Sequence, residues 1–136
     1  MSHFSKIKTR ISNKKYLIQA LKQMNYNIEE NSKCVGYNGN KIDADIVIKL
    51  PETNYNLAFI KSDNSYDLVA DWYGLRGLDS KNIVSKIEEN ITIIENKIKQ
   101  QYAYNSTVES LKEKGFSIDE EIRENGEIRI KLSRIV

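Results

Sequence analysis

Ile83, Ile87, Ile91, Ile94 and Ile98 recur at steps of four, four, three and four. Those steps place successive side chains on one side of a helix with 3.6 residues per turn. Isoleucine loses rotamer freedom in a helix, so a helix built on this stripe has to be held by what it packs against. The chain must therefore supply an apolar surface of matching length. Asp79 or Ser80 is the expected cap of this helix, which is predicted to run to about Gln101. Tyr102, four after Ile98, continues the stripe towards the core, and Tyr104 lies off it.

The surface is predicted to be a sheet. His3 to Ile11 reads as a first strand, with Ile7, Thr9 and Ile11 on one face. Asn13 then caps a helix to about Met24, with Leu17, Ala20, Leu21 and Met24 as its apolar stripe and Asn25 as its left-handed stop. Tyr26 to Asn31 and Lys33 to Tyr37 read as short strands before the tight turn Asn38-Gly39-Asn40. Ala44, Ile46, Ile48 and Leu50 alternate with Asp45, Val47 and Lys49, the pattern of a half-buried strand, which Pro51 ends. Tyr55 to Lys61 and Tyr66 to Tyr73 are apolar on both faces and are expected in the middle of the sheet. Ser106 and Glu109 form a capping-box pattern for a second, short helix to Lys114, stopped by Gly115. Phe116 to Glu124 and Glu127 to Ile135 are then a hairpin about Asn125-Gly126.

These elements predict an α+β fold, an antiparallel sheet with helices packed on one face, in a single domain over residues 1–136. Residues 20–30 resemble residues 110–120 at an offset of 90 without gaps. Each stretch is helix, left-handed stop, aromatic and acidic strand, which suggests a pseudo-repeat of two helix–hairpin units.

A chain of 136 residues buries a core without disulfides or metal. Its 21 Lys and Arg stand against 19 Asp and Glu, and the basic residues form no run, so charge offers no argument for nucleic acid. No window is apolar enough to span a membrane, and the first residues lack the apolar segment of a signal peptide. Cys34, the single cysteine, makes neither an internal disulfide nor a zinc site and points to a reducing compartment. Ile, Asn and Lys supply 49 of the residues (19, 14 and 16), and all three have A+T-rich codons.

The chemistry-bearing residues are sparse. His3 is the only histidine and has no acid or second ligand near it in sequence. No cation or CxxC spacing activates Cys34. Asp43 and Asp45 share a strand face but lack the further oxygen ligands a hard cation needs. Neither Asn38-Gly39-Asn40 nor Gly74-Leu75-Arg76-Gly77 has the pattern of a phosphate loop. No catalytic residue, cofactor site or metal site is therefore assigned. Asp71, Trp72, Tyr73 and Arg76 form the candidate interaction site, where a central strand ends before the long helix and aromatic anchors are available.

Met1-Ser2-His3-Phe4-Ser5-Lys6-Ile7-Lys8-Thr9 is similar to the start of the hypothetical chloroplast open reading frame thirty-five family. Val35-Gly36-Tyr37-Asn38-Gly39, Ala44-Asp45-Ile46-Val47-Ile48, Tyr55-Asn56-Leu57-Ala58-Phe59 and Tyr66-Asp67-Leu68-Val69-Ala70-Asp71-Trp72 resemble it further, in order. Gln101-Tyr102-Ala103-Tyr104 and Lys114-Gly115-Phe116 complete the set. The resemblance implies a plastid or cyanobacterial origin, with the chloroplast stroma, or the cytoplasm in a cyanobacterium, as location. It carries no activity and no site residues. The expected function is a non-enzymatic binding or assembly factor with another protein as partner. The rival readings are a small-molecule binder or enzyme using Asp71 to Arg76, which requires a pocket there, and an RNA binder, which requires a basic face with exposed tyrosines.

Overall fold

The computed structural model describes residues 4–51, 53–71 and 83–134, with side chains from residue 92 onward in the long helix. Five strands make the main sheet: β1 (Phe4–Lys8), β2 (Asn27–Val35), β3 (Lys41–Lys49), β4 (Asn56–Ser62) and β5 (Ser65–Asp71). Their order is β1-β5-β4-β3-β2, and every neighbouring pair is antiparallel. The two strands with apolar residues on both faces, β4 and β5, are interior, as their composition requires. Helix α1 (Lys14–Gln23) and the long helix α2 (Ile83–Glu113) complete the main body. Strands β6 (Phe116–Glu124) and β7 (Glu127–Arg134) form a separate two-stranded sheet. The fold is thus α+β with antiparallel sheets.

One face of the main sheet receives the helices. Leu17 and Leu21 of α1 and Ile98 of α2 are buried against Ile46, Ile48, Leu57, Phe59, Leu68 and Ala70. Ile94 and Tyr102 pack around this core, so the isoleucine stripe faces the sheet wherever its side chains are described. The Asn13 side chain caps α1 as expected, its Oδ1 accepting the N–H of Tyr16 at 3.2 Å. Asn25 takes the left-handed conformation at φ 63°.

The opposite face departs from the sequence reading. Val47 was expected towards solvent but is 1% exposed, because this face is covered too. The cover is the far half of the β2–β3 hairpin itself. At Asn31 the backbone turns left-handed, with φ 50°. Opposite it, β3 leaves β4: the pairing of β3 with β4 begins at Ile46↔Phe59, and the Asp45 carboxylate instead accepts the N–H of Lys61 at 2.7 Å. Ala44 and Ile46, two apart in one strand, consequently belong to different cores. Cys34 and Ala44 pack with Val47, Ala58, Phe4, Ile42 and Ile60. The two short strands expected over residues 26–37 are one bent strand, β2.

Two further expectations are corrected. The first strand ends at Lys8, after which Thr9 turns inwards to donate its hydroxyl to the Tyr66 carbonyl. The long helix does not stop near Gln101: it runs unbroken to Glu113, and Ser106 caps nothing. The segment 101–106 contains no Gly or Pro. Asn105 does not end the helix by bonding its own backbone, because its side chain makes a tertiary contact: its amide donates to the Tyr16 carbonyl at 3.4 Å. The expected cap at Asp79 or Ser80 lies outside the described residues. The β6–β7 hairpin turns at Asn125 (φ 51°) and Gly126 (φ 76°), the two positive-φ residues of a type I′ turn.

Candidate functional site

Helix α1, helix α2 and strand β6 converge on an open groove of about 620 Å³. Its floor is the α2 surface at Tyr104, Asn105, Val108 and Lys112. Gln19 and Gln23 of α1 form one wall, and Phe116 to Ile118 of β6 the other. The geometry follows from the left-handed stop at Gly115 (φ 88°), which reverses the chain at the end of α2 and lays β6 back along it.

A polar network holds the three elements at this spacing. Gln101 is 9% exposed, and its Nε2 donates to Gln23 Oε1 at 2.9 Å and to Asn105 Oδ1 at 3.1 Å. Its Oε1 accepts from Arg123 Nη1 of β6 at 3.1 Å. One glutamine thus ties α2 to both walls, and each half of its amide is satisfied, as burial demands. Arg123 also contacts Glu121 Oε1 at 2.6 Å and lies over the Tyr104 ring at 5.3 Å from its centre. The Tyr104 hydroxyl donates to Glu121 Oε2 at 2.9 Å. Hydrogen bonds from Arg123 and then Tyr104 hold the Glu121 carboxyl below its ordinary pKa. Burial, followed by the bond to Glu121, raises that of the Tyr104 phenol. These contacts make a latch between hairpin and helix, and they leave the groove floor fixed.

Of the residues expected to form a site, Asp71 alone is among the described residues, and it does not line this groove. Asp71 ends β5 on the other side of the sheet, 1% exposed and opposite Phe4 of β1. It lies beneath the folded-back hairpin: a Cβ added at Gly36 would come within 2.8 Å of Asp71 Oδ2 and of Phe4 Cζ. Trp72, Tyr73 and Arg76 lie outside the described residues, as does His3. Cys34 is fully buried, and its thiol donates to the Asn56 carbonyl at 3.4 Å. Burial, and secondarily the Asp71 charge, push its pKa up to about 12, which keeps it a protonated, unreactive thiol. Asp43 pairs with Lys33, and Asp45 receives the Lys61 N–H. Among the described residues no three His, Cys, Asp or Glu side chains come together as a metal site. None of the described helices is long and apolar enough to cross a membrane.

Sequence reasoning missed the groove because its walls lie far apart in the chain. The one local sign was the resemblance of residues 20–30 to 110–120, two stretches that contain or adjoin wall and floor residues.

An antiparallel sheet packed by two helices, with a second small sheet latched across the longer one, defines the architecture; the family is set by comparison. The chain belongs to the family described as "Protein of unknown function (DUF1257)", whose model matches residues 20–131. It is 32% identical to "Uncharacterized protein ycf35" of Guillardia theta, with 98% of each chain covered. Proteins of the same name from Cyanophora paradoxa and Pyropia yezoensis are 29% and 31% identical, again over 98% of both chains. The resemblance to the chloroplast open-reading-frame family thus holds over nearly the whole length and ties the chain to algal plastids. No solved structure matches it.

Proposed function

We propose that this protein is a non-enzymatic binding or assembly factor of the plastid stroma whose partner is another protein. The observation that carries this reading is the β6–β7 hairpin. It stands apart from the main sheet as two strands only, and no other described strand pairs with either outer edge. Two-stranded sheets are marginal alone, and open edges invite a further strand. Here the hairpin is not left loose: Arg123, Glu121 and the Gln100 bond to the Gly126 carbonyl hold it on α2. A rigidly presented strand edge is suited to a protein partner.

Part of the basic surface is already neutralised within the chain. Lys14, Lys33, Lys49, Lys99, Arg123 and Arg129 each lie against a carboxylate of the same chain. Cations already paired in this way gain less from phosphate. The protonated state of Cys34 argues against thiol chemistry. The two helix–hairpin units also fit a pseudo-repeat, since α1 and α2 both end in a left-handed residue followed by an aromatic and a hairpin.

The test is purification of the tagged protein from its native cells, identification of a stoichiometric partner by mass spectrometry, and reconstitution of the complex from the two purified components. A defined complex is expected. A chain that stays monomeric and partner-free under all growth conditions overturns the reading.

A further inference from the structure

The groove between α1, α2 and β6 has features that select an occupant. No residue of β7 lines it, so it borders the side of β6 that β7 leaves open. In an antiparallel pair, alternate residues turn their N–H and C=O groups away from the partner strand. Counted from the pair that flanks the Asn125-Gly126 turn, it is Phe116 and Ile118 that turn their backbone donors and acceptors away from β7, beside a cavity of about 620 Å³. Across from it, Gln19 presents a side-chain amide, which donates and accepts at once, and Gln23 presents its amide N–H groups, its Oε1 already accepting from Gln101. The only charged lining residues are Glu109 and Lys112, of opposite sign and three apart on α2. Their charges cancel, so a strongly acidic or basic occupant would lose its hydration with no net coulombic return.

We propose that this groove binds an extended, uncharged segment of the partner protein, rich in Asn, Gln, Ser or Thr, paired to β6 as a third strand of the β6–β7 sheet. The proposal deepens the protein-binding reading and rests on it. Backbone pairing along β6 supplies binding that depends little on sequence, and the α1 glutamines read amide or hydroxyl side chains on alternate positions. The Gln101 network fixes the width between the walls, so little ordering is left for the moment of binding.

A phage-displayed library of random dodecapeptides, selected on the full chain, tests this. Enriched peptides are expected to be uncharged and rich in amides and hydroxyls. A synthetic copy of one is expected to slow amide exchange in β6 at least tenfold. Val108→Arg on the floor and Gln19→Arg on the α1 wall should each weaken it at least tenfold while leaving the thermal midpoint within a few degrees. Two substitutions on different helices guard against a simple folding defect in one. No enrichment, predominantly charged peptides, or protection outside β6 overturns the proposal. The two readings fail separately: if Val108→Arg still assembles with the native partner, the groove assignment fails and the binding-factor reading stands. If no native partner exists at all, the binding-factor reading fails.

Discussion

The Tyr102 hydroxyl accepts the backbone N–H of Asn13 at 3.0 Å, joining residues 89 apart in the chain. The same oxygen accepts the Ser12 N–H at 3.2 Å. Asn13 is the cap of α1, so the long helix buttresses the start of the short one. Tyr102→Phe keeps the ring and removes only this acceptor. Since both bonds are solvent-exposed, water substitutes in part, and the expected loss is about 0.5–1.5 kcal/mol in urea denaturation. An unchanged midpoint would show that the hydroxyl contributes nothing to the docking of the helices.

Gly36→Ala tests the folded-back hairpin. The new methyl would sit 2.8 Å from Asp71 Oδ2 and 2.9 Å from Asp71 Cβ, closer than carbon atoms tolerate. Relief requires the hairpin to lift from the sheet, at a cost of about 1–3 kcal/mol. Cys34 lies under the same cover, so its reaction with a thiol reagent should accelerate in the variant. Wild-type stability together with a wild-type labelling rate would contradict the close approach.

Cys34 also makes stability depend on alkaline pH. Its folded pKa is raised by burial to about 12, above the ordinary thiol value of 9.0. Below pH 9 both states hold the proton, and the full contribution is present. As pH rises from about 9 towards 12 the unfolded chain releases the proton and the folded chain keeps it, so stability falls. The limiting slope for one such group is about 1.4 kcal/mol per pH unit. Tyr26, Tyr66 and Tyr104, also raised by burial, act in the same direction at higher pH. The comparison is therefore with Cys34→Ala, whose stability between pH 9 and 10 should decline less steeply than that of the wild type.

Arg123→Ala removes the guanidinium that joins Gln101 and Glu121. The hairpin should loosen without unfolding the sheet: amide exchange in β6 and β7 rises severalfold, while that of β4 and β5 stays as it was. Uniform acceleration throughout the chain would mean that hairpin and sheet open as one unit.

What was legible in the sequence was local. Asn125-Gly126 marked the β6–β7 turn because only a few residues accept two successive positive φ angles. Asn13 marked the start of α1 because its side chain reaches a backbone three residues away. What was not legible depended on contacts distant in sequence. Asn105-Ser106 looks like a helix boundary until Tyr16, 89 residues away, is seen to occupy the Asn105 side chain. Alternation in β3 predicted one buried face, but the bend at Asp45 moves Ala44 into the second core and leaves Val47 buried beneath the strand's own hairpin. The groove lay unread because three separate segments form it. Of the expected interaction residues, only Asp71 falls within the described structure, and it is buried.

The doubling-back of β2 and β3 has a consequence for the order in which the molecule assembles. Strands β3, β4 and β5 follow one another through short connections and can zip together as neighbours in sequence. The far end of the β2–β3 hairpin cannot settle until Asn56, Ala58, Phe4 and Asp71 are in place beneath it, because these are what it lies on. We predict that this closure is a late event of folding, a layer laid over a sheet already built. A thiol pulse during refolding would time it, since Cys34 passes from reactive to silent as the hairpin comes down.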